Sequence, residues 1–149
     1  MGMPEFLELF DHHLKRNGLY ITASRKTVAE VVSQQSEPFE VQTLWQTMRQ
    51  ERIGLATVYR TLELLEQAGL IRLVPSAVTE YEVVYKRPRH ELMRCQACGK
   101  WIKFFSQRLE EDLEDAATLF DFSVRRRLIV LEGICKACRR DVSTPPKTK

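Results

Sequence analysis

The first half of the chain alternates apolar and polar residues with a helical period. Phe6, Phe10 and Leu14 recur at every fourth residue, and "NGLYIT" breaks the run at Gly18. A second helix is expected to start near Thr22 or Ser24, either of which can cap it, and to turn Val28, Val31 and Val32 inward. A third follows Pro38, with Val41, Leu44, Trp45 and Met48 spaced to share one face. A fourth runs from about Leu55 to Ala68 over Val58, Leu62 and Leu65, and Gly69 stands where helices favour glycine past their last turn. Two runs of strand character follow, "LIRLV" and "EYEVVYK", joined by "PSAVT" with its turn-forming Pro75 and Ser76. Helices closed by a hairpin predict a winged helix-turn-helix, although the same pattern suits a helical bundle carrying a hairpin.

Beyond Pro88, a plausible hinge, the pattern changes. Short strands are expected around "ELMRC" and "KWIKFF", then a helix bearing Leu109, Leu113, Ala116 and Phe120. A long strand, "FSVRRRLIVLEGI", comes next. Its apolar run from Leu128 to Leu131 has no polar face, so both sides are expected to be covered, by the helix and a second layer or by another chain. The tail "STPPKTK" has the composition of a disordered segment. The resulting class is α+β, organised as residues 1–87, 88–142 and a tail 143–149.

At 149 residues and 44% hydrophobic content, the chain suffices for one ordinary domain or two small ones. No window reaches the roughly 18 apolar residues of a membrane span, and no signal-peptide pattern opens the chain. The expected location is therefore the cytoplasm, with no membrane partner. Net charge is only +3, and it divides unevenly: residues 1–87 carry −1 and residues 88–149 carry +4. Any nucleic-acid contact by the first half must use a local patch.

The four cysteines form two Cys-x-x-Cys knuckles, "CQACGK" (Cys95, Cys98) and "CKACRR" (Cys135, Cys138). In a reducing compartment such pairs point to metal before disulfide. Four thiolates fill a tetrahedral zinc shell and leave no open position for water, so the expectation is one structural Zn2+ per chain. Thirty-six residues lie between Cys98 and Cys135, so the ion would tie two remote segments together. On the fourth helix, the inward set Val58, Leu62 and Leu65 leaves Arg60 outward with Thr57 and Tyr59 on its flanks. An outward arginine near a helix N-terminus can make two hydrogen bonds to guanine in the major groove while neighbours grip phosphates. Lys15, Arg16, Arg25, Lys26, Arg49 and Arg52 are candidates for such backbone contacts.

The run "GLATVYRTLELLEQAGLI", followed by a hairpin, "CQACGK" and a distal "CKAC", resembles the ferric uptake regulator family of bacterial transcription factors. The resemblance extends from "NGLYITASR" through the second knuckle. It implies an N-terminal winged helix, a small C-terminal α/β dimerisation domain, and a homodimer on palindromic double-stranded operators, usually as a repressor. By position, Tyr59 and Arg60 match DNA-reading residues, Arg25 a backbone-contacting arginine, and the four cysteines the structural zinc site of many members.

The likeness fails at the sensory metal. Members that sense metals or peroxide usually carry H-H-D-H-h-h-C, with h apolar, ahead of the first knuckle; here the run is "RHELMRC". Arg89, Glu91 and Leu92 replace family ligands and only His90 keeps its place. Arg127 stands where the family carries a further histidine, and Pro38 or Phe39 replaces another. Glu82 and Glu110 remain near expected ligand positions, so His90, Glu82 and Glu110 are what a residual regulatory site could use. Arginine cannot ligate a cation, and Arg89 and Arg127 are expected to pair with Glu91 or Glu110 instead. A second metal is thus expected to bind poorly. A rival arrangement would recruit His12 or His13 from the first helix.

Nothing here reads as an enzyme: there is no Gly-rich phosphate loop, nucleophile elbow or catalytic acid pair. Two other functions suit the cysteines alone, a rubredoxin-like iron centre for electron transfer and a thiol switch that ejects zinc on oxidation.

Overall fold

The computed structural model describes residues 2–141; the tail 143–149 lies outside them. The chain forms two compact units, Met1–Pro88 and Arg89–Lys149.

In the first unit, helix α1 (Met3–Arg16) buries Phe6, Phe10 and Leu14, and the chain turns at Gly18 with φ +69°. Helix α2 (Ala23–Ser33) is capped by Thr22, whose side-chain oxygen accepts the Arg25 N–H at 3.2 Å. Its buried positions are Val28, Ala29 and Val32, while Val31 is only partly covered. A two-residue strand, β1 (Phe39–Glu40), was not expected, and it leads directly into α3 (Val41–Thr47). Met48, anticipated on that helix, is buried at its C-cap, and a 3-10 turn Arg49–Glu51 follows. Helix α4 (Leu55–Gln67) buries Val58, Thr61, Leu62 and Leu65 and is followed by Gly69 at φ +74°, as expected of a left-handed helix stop.

Strands β2 (Ile71–Val74) and β3 (Glu80–Val83) form the hairpin, with Arg72 opposite Glu82. The second strand ends at Val83, short of the expected "EYEVVYK". Strand β1 pairs antiparallel with β3 through Phe39 and Tyr81, giving a three-stranded sheet in the order β1-β3-β2. That pairing decides between the two architectures, because the hairpin is built into a sheet that shares the helices' core: Phe39, Ile71, Tyr81 and Val83 are buried with Phe10, Val28 and Leu62. Each such side chain contributes about 1.5–3 kcal/mol by leaving water. The unit is a winged helix-turn-helix.

In the second unit, strands β4 (Glu91–Cys95) and β5 (Trp101–Phe104) are antiparallel, helix α5 (Gln107–Leu119) follows, and β6 (Val130–Gly133) returns parallel to β4. The sheet order is β5-β4-β6, and a short helix α6 (Lys136–Asp141) carries Cys138, with Cys135 immediately before it. Two expectations need correction here, the length of the last strand and the place of Phe120, which lies at the C-cap of α5 and not on it. Only Val130–Gly133 of "FSVRRRLIVLEGI" is strand. The described residues of the chain leave the apolar run partly uncovered, so that of the two expected covers another chain remains open: Leu128, Ile129 and Val130 are half-buried and Leu131 is 49% exposed. On α5 the one buried side chain is Glu110; Leu109 and Leu113 are half-buried, Ala116 is exposed, and Phe120 at the C-cap is 79% exposed. The helix carries the periodicity of an amphipathic element, but a single copy of this unit offers too little surface to cover its apolar face.

Candidate functional site

The recognition-type face of α4 is fixed from beneath. Trp45 on α3 donates its indole N–H to the Ile53 carbonyl at 2.8 Å, and the Ile53 side chain is buried, so the residue just before the Gly54 cap is held on both sides. Thr61 satisfies its buried hydroxyl by donating to the Thr57 carbonyl at 2.7 Å. With Val58, Leu62 and Leu65 in the core, Arg60 is exposed while Thr57 and Tyr59 are partly buried beside it. Arg25 donates through Nη1 to the Tyr20 carbonyl at 2.6 Å, which anchors the approach to α2 and leaves Tyr20 78% exposed. Lys15 is exposed and pairs with Asp11 one turn earlier at 2.6 Å.

The four cysteines converge. Their Sγ atoms all lie within 4.8 Å of one another, and Cys98 and Cys135 are 3.9 Å apart. Sulfurs bound at about 2.3 Å around a tetrahedral ion stand about 3.8 Å from each other, so the cluster is of a size that a small contraction would close around a metal. Local backbone explains the convergence. Gly99 at φ +73° turns the first knuckle back, with its N–H on the Cys95 carbonyl at 2.8 Å. The parallel register sets Cys95 opposite Gly133, which delivers Cys135 alongside, its N–H 3.3 Å from the Cys95 sulfur. That N–H, with the Cys98 N–H, holds the Cys95 thiol down to about 6. The Cys135 thiol is also lowered, chiefly by the Cys138 N–H, whereas Cys138 is pushed up to about 12 by hydrogen bonds to Cys135 and Cys98.

Of the residual sensory residues, Glu82 and Glu110 are each engaged by arginines of their own unit. Glu82, fully buried in the first unit, accepts from Arg72 Nε and Nη2, both at 2.9 Å. Glu110 accepts from Arg89 at 2.8 Å and from Arg127. Arg127 also donates to Glu91 at 2.9 and 3.1 Å. The expected pairing of Arg89 and Arg127 with Glu91 and Glu110 is therefore present. His90 is half-buried, His12 is exposed, and the His13 carbonyl and ring both face Asn17. Among the described residues of the second unit, the cysteines are the one group of three or more potential ligands brought together. The Arg72–Glu82 pair was missed from sequence, although aligning "LIRLV" against "EYEVV" as a hairpin places these residues opposite each other.

A model of the ferric uptake regulator family matches residues 16–131. The chain belongs to this family. It is 33% identical over 138 residues to the ferric uptake regulation protein of Campylobacter upsaliensis, covering 89% of this chain and 88% of that one. It is 24% identical to the peroxide-responsive repressor PerR of Staphylococcus saprophyticus, over 92% and 99% of the two chains. Among solved structures, the Helicobacter pylori ferric uptake regulator, described as having three functional metal binding sites, superposes with a TM-score of 0.79 at 23% identity, over 92% and 93% of the chains. A zinc uptake regulator in complex with zinc and DNA superposes with a TM-score of 0.66 at 22% identity, over 96% and 99%. Members of the ferric uptake regulator family are DNA-binding transcription regulators and not enzymes. Membership accounts for the winged helix, which an iron electron-transfer centre leaves without a role. No helix among the described residues is long and apolar enough to cross a membrane.

Proposed function

We propose that this chain is a homodimeric, sequence-specific repressor that acts in the cytoplasm on palindromic double-stranded operators. It carries one structural Zn2+ per chain on Cys95, Cys98, Cys135 and Cys138, and its second, regulatory metal site is reduced or absent. The observation that carries the reading is the α4 face, where an exposed Arg60 stands on a helix whose opposite side is locked into the core of a winged helix. Arg60 reads base edges, Tyr59 and Thr57 flank it, and Arg25 and Lys15 serve the backbone.

Dimerisation is supported by what the second unit leaves uncovered. Leu119, Phe120, Phe122, Val124 and Leu131 are each 49–80% exposed. Strand β6 is a sheet edge, and the irregular segment before it has no strand partner among the described residues. A second copy can cover both, and two-fold symmetry doubles the few base pairs that one helix reads. Zinc is favoured by the closed four-sulfur shell.

The test is to select duplexes from a randomised pool with the purified protein, then compare Arg60→Ala. A bidentate guanine contact is worth about 1–3 kcal/mol, so specific affinity is expected to fall by about 5- to 150-fold for each half-site, with the oligomeric state unchanged. Undiminished preference for the selected duplex in that variant would sink the assignment of α4. Elemental analysis of the same protein is expected to return one zinc per chain.

A further inference from the structure

We propose that Arg127 is the resident cation of the carboxylate site in the second unit, so that this unit holds its DNA-binding form without a second metal. The inference rests on the DNA-binding reading above and deepens it by naming how the site is regulated.

Glu91 and Glu110 are 3% and 8% exposed, and all four of their carboxylate oxygens are engaged. Glu91 Oε1 accepts Arg127 Nε and Nη2 at 3.1 and 2.9 Å, and its Oε2 accepts the Ile129 backbone N–H at 2.8 Å. Glu110 Oε1 accepts Arg127 Nη2, and its Oε2 accepts Arg89 Nη1 at 2.8 Å. Two carboxylates face two guanidiniums, so the cluster is neutral. A divalent ion entering beside them would place two uncompensated positive charges among largely buried groups. It could bind only by expelling Arg127, whose side chain is 16% exposed and whose guanidinium cannot lose its proton to become a ligand. The residues at this place therefore do not fit the second metal that the family resemblance implies.

The position of the cluster shows what the guanidinium does instead. It joins the start of β4, the first turn of α5 and the segment leading into β6, three stretches remote in sequence, as a multidentate metal would. The Glu91–Ile129 bond sets the first rung of the parallel pair, immediately before Leu92 meets Val130. The thiolate cluster closes the other end of the same two strands, beyond Cys95 and Gly133. The β4–β6 pair is thus pinned at one end by sulfur ligands and at the other by ion pairs.

The experiment uses zinc-loaded full-length protein and Mn2+, a hard ion that thiolates bind poorly. Bound Mn2+ is counted by electron paramagnetic resonance, and affinity for the selected duplex is measured with and without it. A regulatory ligand shifts affinity by about 5- to 150-fold; the wild type is expected to shift by less than about twofold and to take up no Mn2+. Arg127→His is expected to take up one Mn2+ per chain and to bind the duplex in a Mn2+-dependent manner. Stoichiometric uptake by the wild type, or no uptake by the folded variant, overturns the assignment. Should Arg127→His not fold, Arg127→Lys keeps a positive charge at the same place; it is expected to bind the duplex without Mn2+ and to take up none, and stoichiometric Mn2+ uptake or Mn2+-dependent binding by this variant overturns the assignment. If no duplex is selected at all, the regulator reading fails, while the Mn2+ counts still decide the cluster.

Discussion

In the first unit, apolar side chains from Phe6 to Val83 are buried against one another, drawn from four helices and three strands. In the second, the only apolar residues buried among those described are Leu92 and Cys95, and two of the buried groups are the carboxylates of Glu91 and Glu110. The contrast separates two ways of making a small unit stable. The first has enough amphipathic helix to close a core by itself; the second has ion pairs and a cysteine cluster in place of much of a core and leaves an apolar surface exposed.

The sharpest way to break that comparison is to remove the proposed zinc. Cys95→Ser, or stripping by a chelator, is expected to unfold the second unit, because structural zinc contributes about 10–16 kcal/mol in small metal-dependent folds. Hydrogen exchange checks it: amides of β4 and β6 should lose protection while α1, α2 and α4 keep theirs. Retained protection in the metal-free protein would mean that the ion pairs suffice alone.

The converse experiment strikes the core. Leu62→Ala is expected to cost the first unit about 2–5 kcal/mol in denaturant unfolding and to leave metal content unchanged. A loss of metal with it would show that the units do not stand independently. A smaller effect is expected of Phe122→Asp, a residue 68% exposed in the single chain. Losing its burial between copies should weaken self-association by about 1.5–3 kcal/mol per side chain, read by sedimentation, without lowering the stability of the first unit. Smallest of all, Thr22→Ala removes the α2 cap and should lower stability by about 0.5–2 kcal/mol, confined to the first unit. An equal change in the second unit's exchange would contradict the division.

Legibility in the residue order follows the same division. The helices of the first unit were readable because Phe6, Phe10 and Leu14, or Val58, Leu62 and Leu65, repeat at a period that one chain satisfies alone. The knuckles were readable because Cys-x-x-Cys places two ligands by local geometry. Strand β1 was not, since two residues carry no period and Phe39 becomes strand only by meeting Tyr81. The segment "FSVRRR" reads as strand from its composition, yet strand needs a hydrogen-bonded neighbour, and among the described residues of this stretch only Val130–Gly133 finds one.

What the order of residues establishes unaided is therefore local: helix periods, caps, knuckles and an arginine turned away from its helix's core side. Long-range pairing was left to the folded chain. Arginine carries the same charge anywhere in a sequence, and only the parallel register of β4 and β6, with α5 crossing between them, puts Arg127 between Glu91 and Glu110 rather than in water. An ion pair becomes a cross-link when burial removes competing solvent, and burial is a property of the assembled structure.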